Sequence, residues 1–370
     1  MSGTSLDAVD MAVLETDGET IQAFGPSGER KLDPVVRALV QRATDDARAW
    51  PWHAPEPDSF APAARAVAEE HLRAATSFMA EHGLTASDLD LAGFHGQTVW
   101  HEPPGRTRAE GRTVQLGDAG LLARGLGLPV AYDFRTADVA AGGQGAPLAP
   151  VYHDALRRWS GLEGPMAVLN LGGVGNITLA TRAGELHAFD TGPANGMIDR
   201  WVQSRTDKRL DEDGAWALSG RVHKDIVAAY LDHPYFQQRG AKSLDRYDFT
   251  LDRVAHLSLE DGCATLTAFA ACAVALGVEA CPEKPRRIVV SGGGRRNPVL
   301  LDWIAEYVSV PVAPGEDHGW RGDAVEAEAF AYLAARTARG LPISFPGTTG
   351  VPKAMTGGRI VRPQLSMGVS

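Results

Sequence analysis

Two glycine turns carry the first chemical signal of this chain: Met1-Ser2-Gly3-Thr4-Ser5-Leu6-Asp7, and Asn170-Leu171-Gly172-Gly173-Val174-Gly175-Asn176-Ile177-Thr178. Each leads into a β-type run. Glycine lets backbone N–H groups approach an anion, and hydroxyls and amides add neutral hydrogen bonds to phosphate oxygens. Two such hairpins can pinch one polyphosphate, with Gly3, Thr4, Ser5, Leu6 and Asp7 on one side and Gly172, Gly173 and Asn176 on the other. A third glycine turn, Ser291-Gly292-Gly293-Gly294, follows the apolar run Arg287-Ile288-Val289-Val290. One such turn alone reads as only a turn; three in this order point to a nucleotide between two lobes. Neither G-x-x-x-x-G-K-[ST] nor a G-x-G-x-x-G between strand and helix occurs, which argues against a Walker-type ATPase and a Rossmann dehydrogenase. Asp190 stands directly before Thr191-Gly192-Pro193, where its carboxylate is either a base toward a nucleophile or an Asx cap of the turn.

The elements that must position these groups follow from periodicity. Ala8 to Thr16 alternates as a strand, and residues 45 to 65, rich in Pro, Trp, Asp and Ala, read as a loop or lid. Ala61 to His82 has helical spacing, and Leu91 to Phe94 reads as a strand delivering His95. Helices are expected at Leu148 to Trp159, Leu218 to Leu231, Leu257 to Leu276 and Ala324 to Ala338. Strands are expected at Met166 to Leu171, Leu186 to Phe189 and Arg287 to Val290. Ser160-Gly161 and Gly164-Pro165 mark a break, giving lobes 1–155 and 156–370.

Composition narrows the class. The 370 residues suffice for two domains with sizeable cores, and a formal net charge of −10 argues against nucleic acid or an anionic membrane as the main partner. Cys263, Cys272 and Cys281 are nine apart, so neighbours face opposite sides of a helix and cannot share a metal; buried, reduced cysteines suit the cytoplasm. Residues 1 to 15 lack a basic flank before an apolar run, so no signal peptide is expected. The apolar stretch Ala264 to Val278 is too short for a bilayer and reads as a buried helix.

Further segments join the turns: Gly93-Phe94-His95-Gly96-Gln97-Thr98-Val99-Trp100-His101, Gln115-Leu116-Gly117-Asp118, Asp133-Phe134-Arg135 with Asp138, and Gly142-Gly143-Gln144-Gly145-Ala146-Pro147-Leu148. Phe189 to Asn195, Ser291 to Pro298 and Gly322-Asp323-Ala324-Val325-Glu326-Ala327 complete the set. In kind and order they resemble the anhydro-N-acetylmuramic acid kinases of the actin, hexokinase and Hsp70 ATPase superfamily. The resemblance implies an α/β, two-lobed actin-like ATPase (ribonuclease H-like) fold with nucleotide and sugar in the interlobe cleft. It implies that the first two turns hold the β and γ phosphates of ATP and that Gly292, Gly293 and Gly294 hold adenosine. By the same resemblance, Asp190 deprotonates a water that attacks C1 of 1,6-anhydro-N-acetylmuramic acid while O6 takes the γ-phosphoryl group. Glu326 holds the sugar or shares the water, with a solvated helix face or a helix-dipole partner as its other readings.

His95, Gln97, Arg135 and Asp138 fall on the implied sugar side. Arg135 either meets the lactyl carboxylate bidentately or pairs with Asp133 or Asp138; His95 is either a sugar contact or a core histidine. Trp100 is the sugar-stacking candidate. Mg2+ is expected with ATP, held by phosphates, water and a carboxylate such as Asp7, Asp10 or Asp190. A cytoplasmic enzyme of peptidoglycan recycling is implied, with a homodimer left open. A kinase for levoglucosan and a non-catalytic ATP-binding module are the alternatives; the segment from His95 to Leu148 is more than a pure switch needs. Two departures stand out. The family's short apolar strand before M-S-G-T-S is absent here or replaced by another segment, and Ala8 stands where glycine is common, making a strained φ costlier there.

Overall fold

The computed structural model describes residues 1–3, 6–105, 108–238, 240, 242, 244 and 248–363. The chain divides into two units: Met1–Ala155 with Ala324–Ser370, and Leu156–Asp323. The first unit begins with the hairpin β1 (Ala8–Thr16) and β2 (Ile21–Lys31), followed by α1 (Pro34–Ala49), α2 (Phe60–Glu81) and β3 (Ala92–Gly93). There follow β4 (Gln97–Glu102), β5 (Arg112–Leu116), α3 (Ala119–Leu126), β6 (Val130–Tyr132), α4 (Thr136–Ala140) and α5 (Pro150–Trp159), inside which the boundary falls. The second unit holds β7 (Met166–Leu171), β8 (Val174–Ala180), β9 (Leu186–Pro193), α6 (Asn195–Arg205), α7 (Ala215–Ser219), α8 (Lys224–Leu231), α9 (Leu259–Ala280), β10 (Ile288–Ser291), α10 (Pro298–Val308) and β11 (Val312–Pro314). The chain then returns with α11 (Val325–Ala338), α12 (Pro346–Thr349) and β12 (Arg359–Val361).

That return corrects the expected lobe 156–370. Helix α11 packs on β1 and β3, and β12 pairs antiparallel with β6, Ile360 opposite Ala131. Residues from 324 onward therefore close the first unit's core around Val36, Val40, Val67, Phe94 and Leu122 instead of extending the second. The expected loop at 45–65 shrinks to residues 50–59. Val36, Val40, Ala43 and Ala47 recur every three or four residues and bury a helical stripe on α1, while Asp33 caps it by accepting from the N–H of Val35.

In the second unit, β7, β8 and β9 form an antiparallel meander. Strands β10 and β11 extend it as parallel neighbours on the β7 side, giving the order β11-β10-β7-β8-β9. The crossovers are α9 and α10, as right-handed parallel connections require. This meander-plus-crossover order is that of the ribonuclease H-like fold. Leu169, Leu171, Ile177, Ile288 and Val290 from the sheet meet Ala271, Val274, Leu300 and Ile304 from α9 and α10.

Helix α9 runs 22 residues and is long and apolar enough to cross a membrane by length and composition, longer than the apolar stretch read from sequence. It is the core helix of its unit: 72% of its apolar window is buried, and it packs against α6, α7, α8, α10 and β9. Of the cysteines only Cys263 is fully buried; Cys272 and Cys281 are half-buried. The helix expected over Leu218–Leu231 breaks between α7 and α8 at Gly220, whose ψ of 169° is extended; its backbone lies so close to α9 that a Cβ there would stand 2.1 Å from the Glu260 carbonyl oxygen.

Candidate active site

In the first unit, residues 1–3 lie back along β1. Ser2 bridges Val9, the N–H of Asp10 donates to the Met1 carbonyl at 2.8 Å, and the N–H of Leu6 donates to the Gly3 carbonyl at 3.3 Å. Leu6 takes a left-handed φ of 54°, a conformation a bulky residue holds only when its surroundings enforce it. Thr4 and Ser5 lie outside the described residues. Ala8 is part of the extended strand β1, so the replacement of glycine brings no strain. Asp7 is exposed and accepts from the N–H of Ala8 at 3.0 Å.

Gln97 is 2% exposed; its Oε1 accepts from the Ser2 hydroxyl at 2.7 Å and its Nε2 donates to the Gly3 carbonyl at 3.2 Å. Both ends of the amide are thus used to fasten the first glycine turn.

His95 and Arg135 act as one group. The buried imidazole donates from Nδ1 to the Gly96 carbonyl at 2.8 Å and accepts at Nε2 from Arg135 Nε at 3.1 Å, which fixes the tautomer. Burial, then the Arg135 charge, pushes its pKa well below the usual histidine range, so it is neutral. Arg135 also donates from Nη1 to the Gly145 carbonyl at 2.7 Å, while its Nη2 makes no hydrogen bond among the described residues. Burial lowers the guanidinium to about 10, with Glu326 and Asp138 opposing the fall. The expected ion pairs of Arg135 do not form. Asp133 instead faces Arg359 at 3.3 Å and accepts from Thr136 at 2.5 Å.

Asp138 is 3% exposed and accepts from the Gly145 N–H and the Thr349 hydroxyl, each at 2.6 Å. It folds the loop that presents Gly145 to Arg135, and each of its oxygens is engaged there. Asp138→Ala is expected to lower stability by about 1–3 kcal/mol, since two buried donors lose their acceptor. Asp138→Asn should recover much of this, because the Thr349 hydroxyl can turn to accept from the amide; thermal unfolding of the two variants checks it. Glu326 is exposed on the first turn of α11, with its charge acting on both Arg135 and Asp10. Burial lifts Asp10 to about 6; the Met1 amine opposes this, and Glu326 adds to it. Trp100 is packed against the first unit's core, with its indole N–H buried and unpartnered, which does not suit a sugar-stacking face.

In the second unit, the β7–β8 turn is strapped to the start of α6. The N–H groups of Ala194 and Gly196 donate to the Gly173 carbonyl and that of Asn195 to the Gly172 carbonyl, all within 3.0–3.1 Å. The carbonyls of Gly172 and Gly173 are thereby occupied, while their own N–H groups have no acceptor among the described residues. A Cβ at either glycine would meet nothing nearer than 3.5 Å, so these N–H groups border open space that an anion can fill. Neither glycine has a left-handed φ; smallness, not conformational freedom, is what the turn uses. Asn176 is half-buried opposite Asp190 in the β8–β9 pairing, and its side-chain amide makes no hydrogen bond among the described residues.

Asp190 lies within β9, which continues to Pro193, and not at a loop after Phe189. The register shifts between Gly175 and Asn176 so that Thr191 has no partner on β8. This is a β-bulge, a device that re-aims side chains beside sites. Oδ2 of Asp190 accepts from the Leu244 N–H at 2.8 Å, while Oδ1 makes no hydrogen bond among the described residues. Its backbone is held as well: its N–H donates to the Lys242 carbonyl at 3.0 Å and its carbonyl accepts from the Tyr235 hydroxyl at 2.6 Å. Burial raises the carboxyl to about 7, with the Leu244 N–H and the Lys242 charge restraining the rise. A half-buried carboxylate poised near neutrality, with one oxygen fixed and the other unbonded among the described residues, suits proton abstraction.

The third glycine turn abuts the second. Gly292 has a φ of 77°, and a Cβ there would stand 2.2 Å from Asn170 Oδ1; a Cβ at Gly294 would stand 2.6 Å from Leu171 Cβ and 2.8 Å from Asn195 Nδ2. Gly293 is exposed. Sequence reasoning missed Arg295, which is 8% exposed and donates to the Gly292 carbonyl at 3.1 Å; adjacency to the turn was its only signal.

The family model for anhydro-N-acetylmuramic acid kinase matches residues 1–363. A protein of that name from Caulobacter vibrioides (strain ATCC 19089 / CIP 103742 / CB 15) is 62% identical over 361 residues, covering 98% of this chain and 97% of its own. Another of that name from Phenylobacterium zucineum (strain HLK1) is 61% identical over 364 residues, covering 98% of each. Among solved structures, xylulose kinase from Rhodospirillum rubrum aligns with 60% of this chain and 46% of its own at 16% identity and a TM-score of 0.35.

Proposed function

The chain belongs to the anhydro-N-acetylmuramic acid kinase family, and from that membership we propose that it opens the 1,6-anhydro ring of 1,6-anhydro-N-acetylmuramic acid with water and phosphorylates O6 from ATP. The products are N-acetylmuramate 6-phosphate and ADP, a cytoplasmic step in reuse of peptidoglycan amino sugars. The observation that carries the reading is Asp190: one oxygen is fastened to Leu244, the other has no hydrogen bond among the described residues, and burial raises its pKa to about 7.

Asp190 takes a proton from water as the water oxygen bonds to C1. The C1–O6 bond breaks, O6 bonds to the γ-phosphorus, and the bond from that phosphorus to the β–γ bridging oxygen breaks to release ADP. The charge developing on O6 passes to phosphorus in line and needs no separate acid. The N–H groups of Gly172 and Gly173, which have no acceptor among the described residues, bind phosphate oxygens, and the turn fastened by Gln97 binds phosphate as well. Arg135, held flat by His95 and Gly145, offers Nη2 to the lactyl carboxylate, and Glu326 balances the guanidinium. Mg2+ would neutralise the β and γ phosphates. Among the described residues no three His, Cys, Asp or Glu side chains form a cage, which fits a cation held mainly by phosphate and water with one carboxylate such as Asp10 or Asp190.

Turnover in heavy-oxygen water tests the reaction. Label is expected at C1 of the product and none in its phosphate; label in phosphate would mean plain ATP hydrolysis and overturn the assignment. ADP release stimulated by levoglucosan instead of the muramic anhydrosugar would reassign the substrate.

A further inference from the structure

The glycine turn at 292–294 rests on a charged clamp that no catalytic step above uses. Arg295 follows the turn, and its side chain is 5% exposed. Its guanidinium donates from Nη1 to the Gly292 carbonyl at 3.1 Å, from Nε to Glu316 Oε1 at 2.7 Å, and from Nη2 to Asp323 Oδ1 at 2.8 Å. Arg296 donates to the other oxygen of Asp323 at 2.5 Å. The backbone leaves room for this and nothing more: a Cβ at Gly322 would stand 2.1 Å from Arg295 Nε and 2.5 Å from Glu316 Oε1. Gly322 and Asp323 therefore serve the glycine turn, although they share a sequence segment with Glu326.

We infer that Arg295, locked by Glu316 and Asp323, is a positioning residue that holds the Gly292 carbonyl and so fixes the turn for the nucleoside end of the nucleotide. The inference rests on the nucleotide reading above and goes beyond it by assigning a set of side chains to one end of the ligand. A planar, five-donor head can do this because it reaches three acceptors in fixed directions, whereas lysine has a single point charge. Gly292, held at a φ of 77° against Asn170, has one arrangement to offer once its carbonyl is pinned.

Calorimetric binding of ADP and of inorganic pyrophosphate, without any sugar, tests this in Arg295→Met, Arg295→Lys and Gly322→Ala. Arg295→Met is expected to weaken ADP about tenfold and leave pyrophosphate within about twofold, because the phosphate turn is fastened elsewhere. Arg295→Lys should recover part of the loss. Gly322→Ala keeps every clamp residue yet displaces the guanidinium, so it should weaken ADP in the same direction. Unchanged ADP affinity in folded Arg295→Met, or equal loss for ADP and pyrophosphate, overturns the inference. Should Arg295→Met fail to fold, Asp323→Ala, which removes one largely exposed arm, must still weaken ADP by a few-fold; no loss there overturns it as well. A wild-type protein that binds ADP but turns over no anhydrosugar would sink the substrate reading alone, whereas one that binds no ADP would sink both.

Discussion

Asp190→Asn is expected to lower turnover by about three orders of magnitude while ADP still binds, because a positioned base contributes roughly 10²–10⁴-fold and the amide cannot accept the proton. Steady-state kinetics with ADP calorimetry checks both halves. The pH profile carries the same information: with the carboxyl raised to about 7, the wild-type protein's kcat/KM should fall as pH drops through that value, since protonation removes the base. Stability moves the other way. A carboxyl whose folded pKa lies above its ordinary 3.8 contributes stability at low pH that is lost as pH rises through about 7. The melting temperature of Asp190→Asn relative to the wild-type protein should therefore increase between pH 4 and pH 8. A variant that is inactive and no less stable at pH 8 identifies a proton acceptor; one that is inactive because it melts early does not. Normal turnover would reject the role outright.

Gln97→Met is expected to lower kcat/KM for ATP on the order of a hundredfold and to leave KM for the sugar nearly unchanged. The thioether copies the volume of the amide but neither bond, leaving the Ser2 hydroxyl buried without an acceptor and the Gly3 carbonyl without its donor. Ser2→Ala should cost less, since it orphans one buried group, Gln97 Oε1, where Gln97→Met orphans two. The double variant should cost less than the sum, because the two residues share one bond. A rise in sugar KM with ATP kinetics intact would restore Gln97 to the sugar side.

Gln97 also shows where reading the chain stops. The residue type and its place near His95 were visible in sequence, but which neighbour its amide meets is a matter of tertiary packing across some ninety positions. The partner of Asp138 was hidden for the same reason: nothing local announces Thr349. Strand Met166–Leu171 was legible to the residue, because a nearly continuous buried apolar run, broken only by Asn170, stands between glycine signals. Strand β9 was cut short at Phe189, since Asp-Thr-Gly-Pro reads as a turn when the bulge that accommodates it depends on the partner strand. The glycine turns were legible in sequence, but the conformational reason for glycine holds at only one of them, since Gly292 alone among the candidate cofactor glycines has a left-handed φ.

The division of the chain into an uninterrupted second unit and a first unit built from two separated pieces fixes an order of events during synthesis. Residues 156–323 leave the ribosome as one stretch, with all five strands of their sheet and both crossover helices in hand, and can fold as soon as they emerge. The first unit cannot. Its opening hairpin depends on α11, where Arg336 donates to the Gly18 carbonyl across 318 positions of sequence, and β6 waits for β12. Until those last segments emerge, the earliest-made strands have an uncovered apolar face, the kind of surface that chaperones hold and aggregates recruit. Nascent chains stalled before α11 should thus carry a protease-resistant second unit and a protease-sensitive start, and the yield of active enzyme should depend on how quickly the final helix follows.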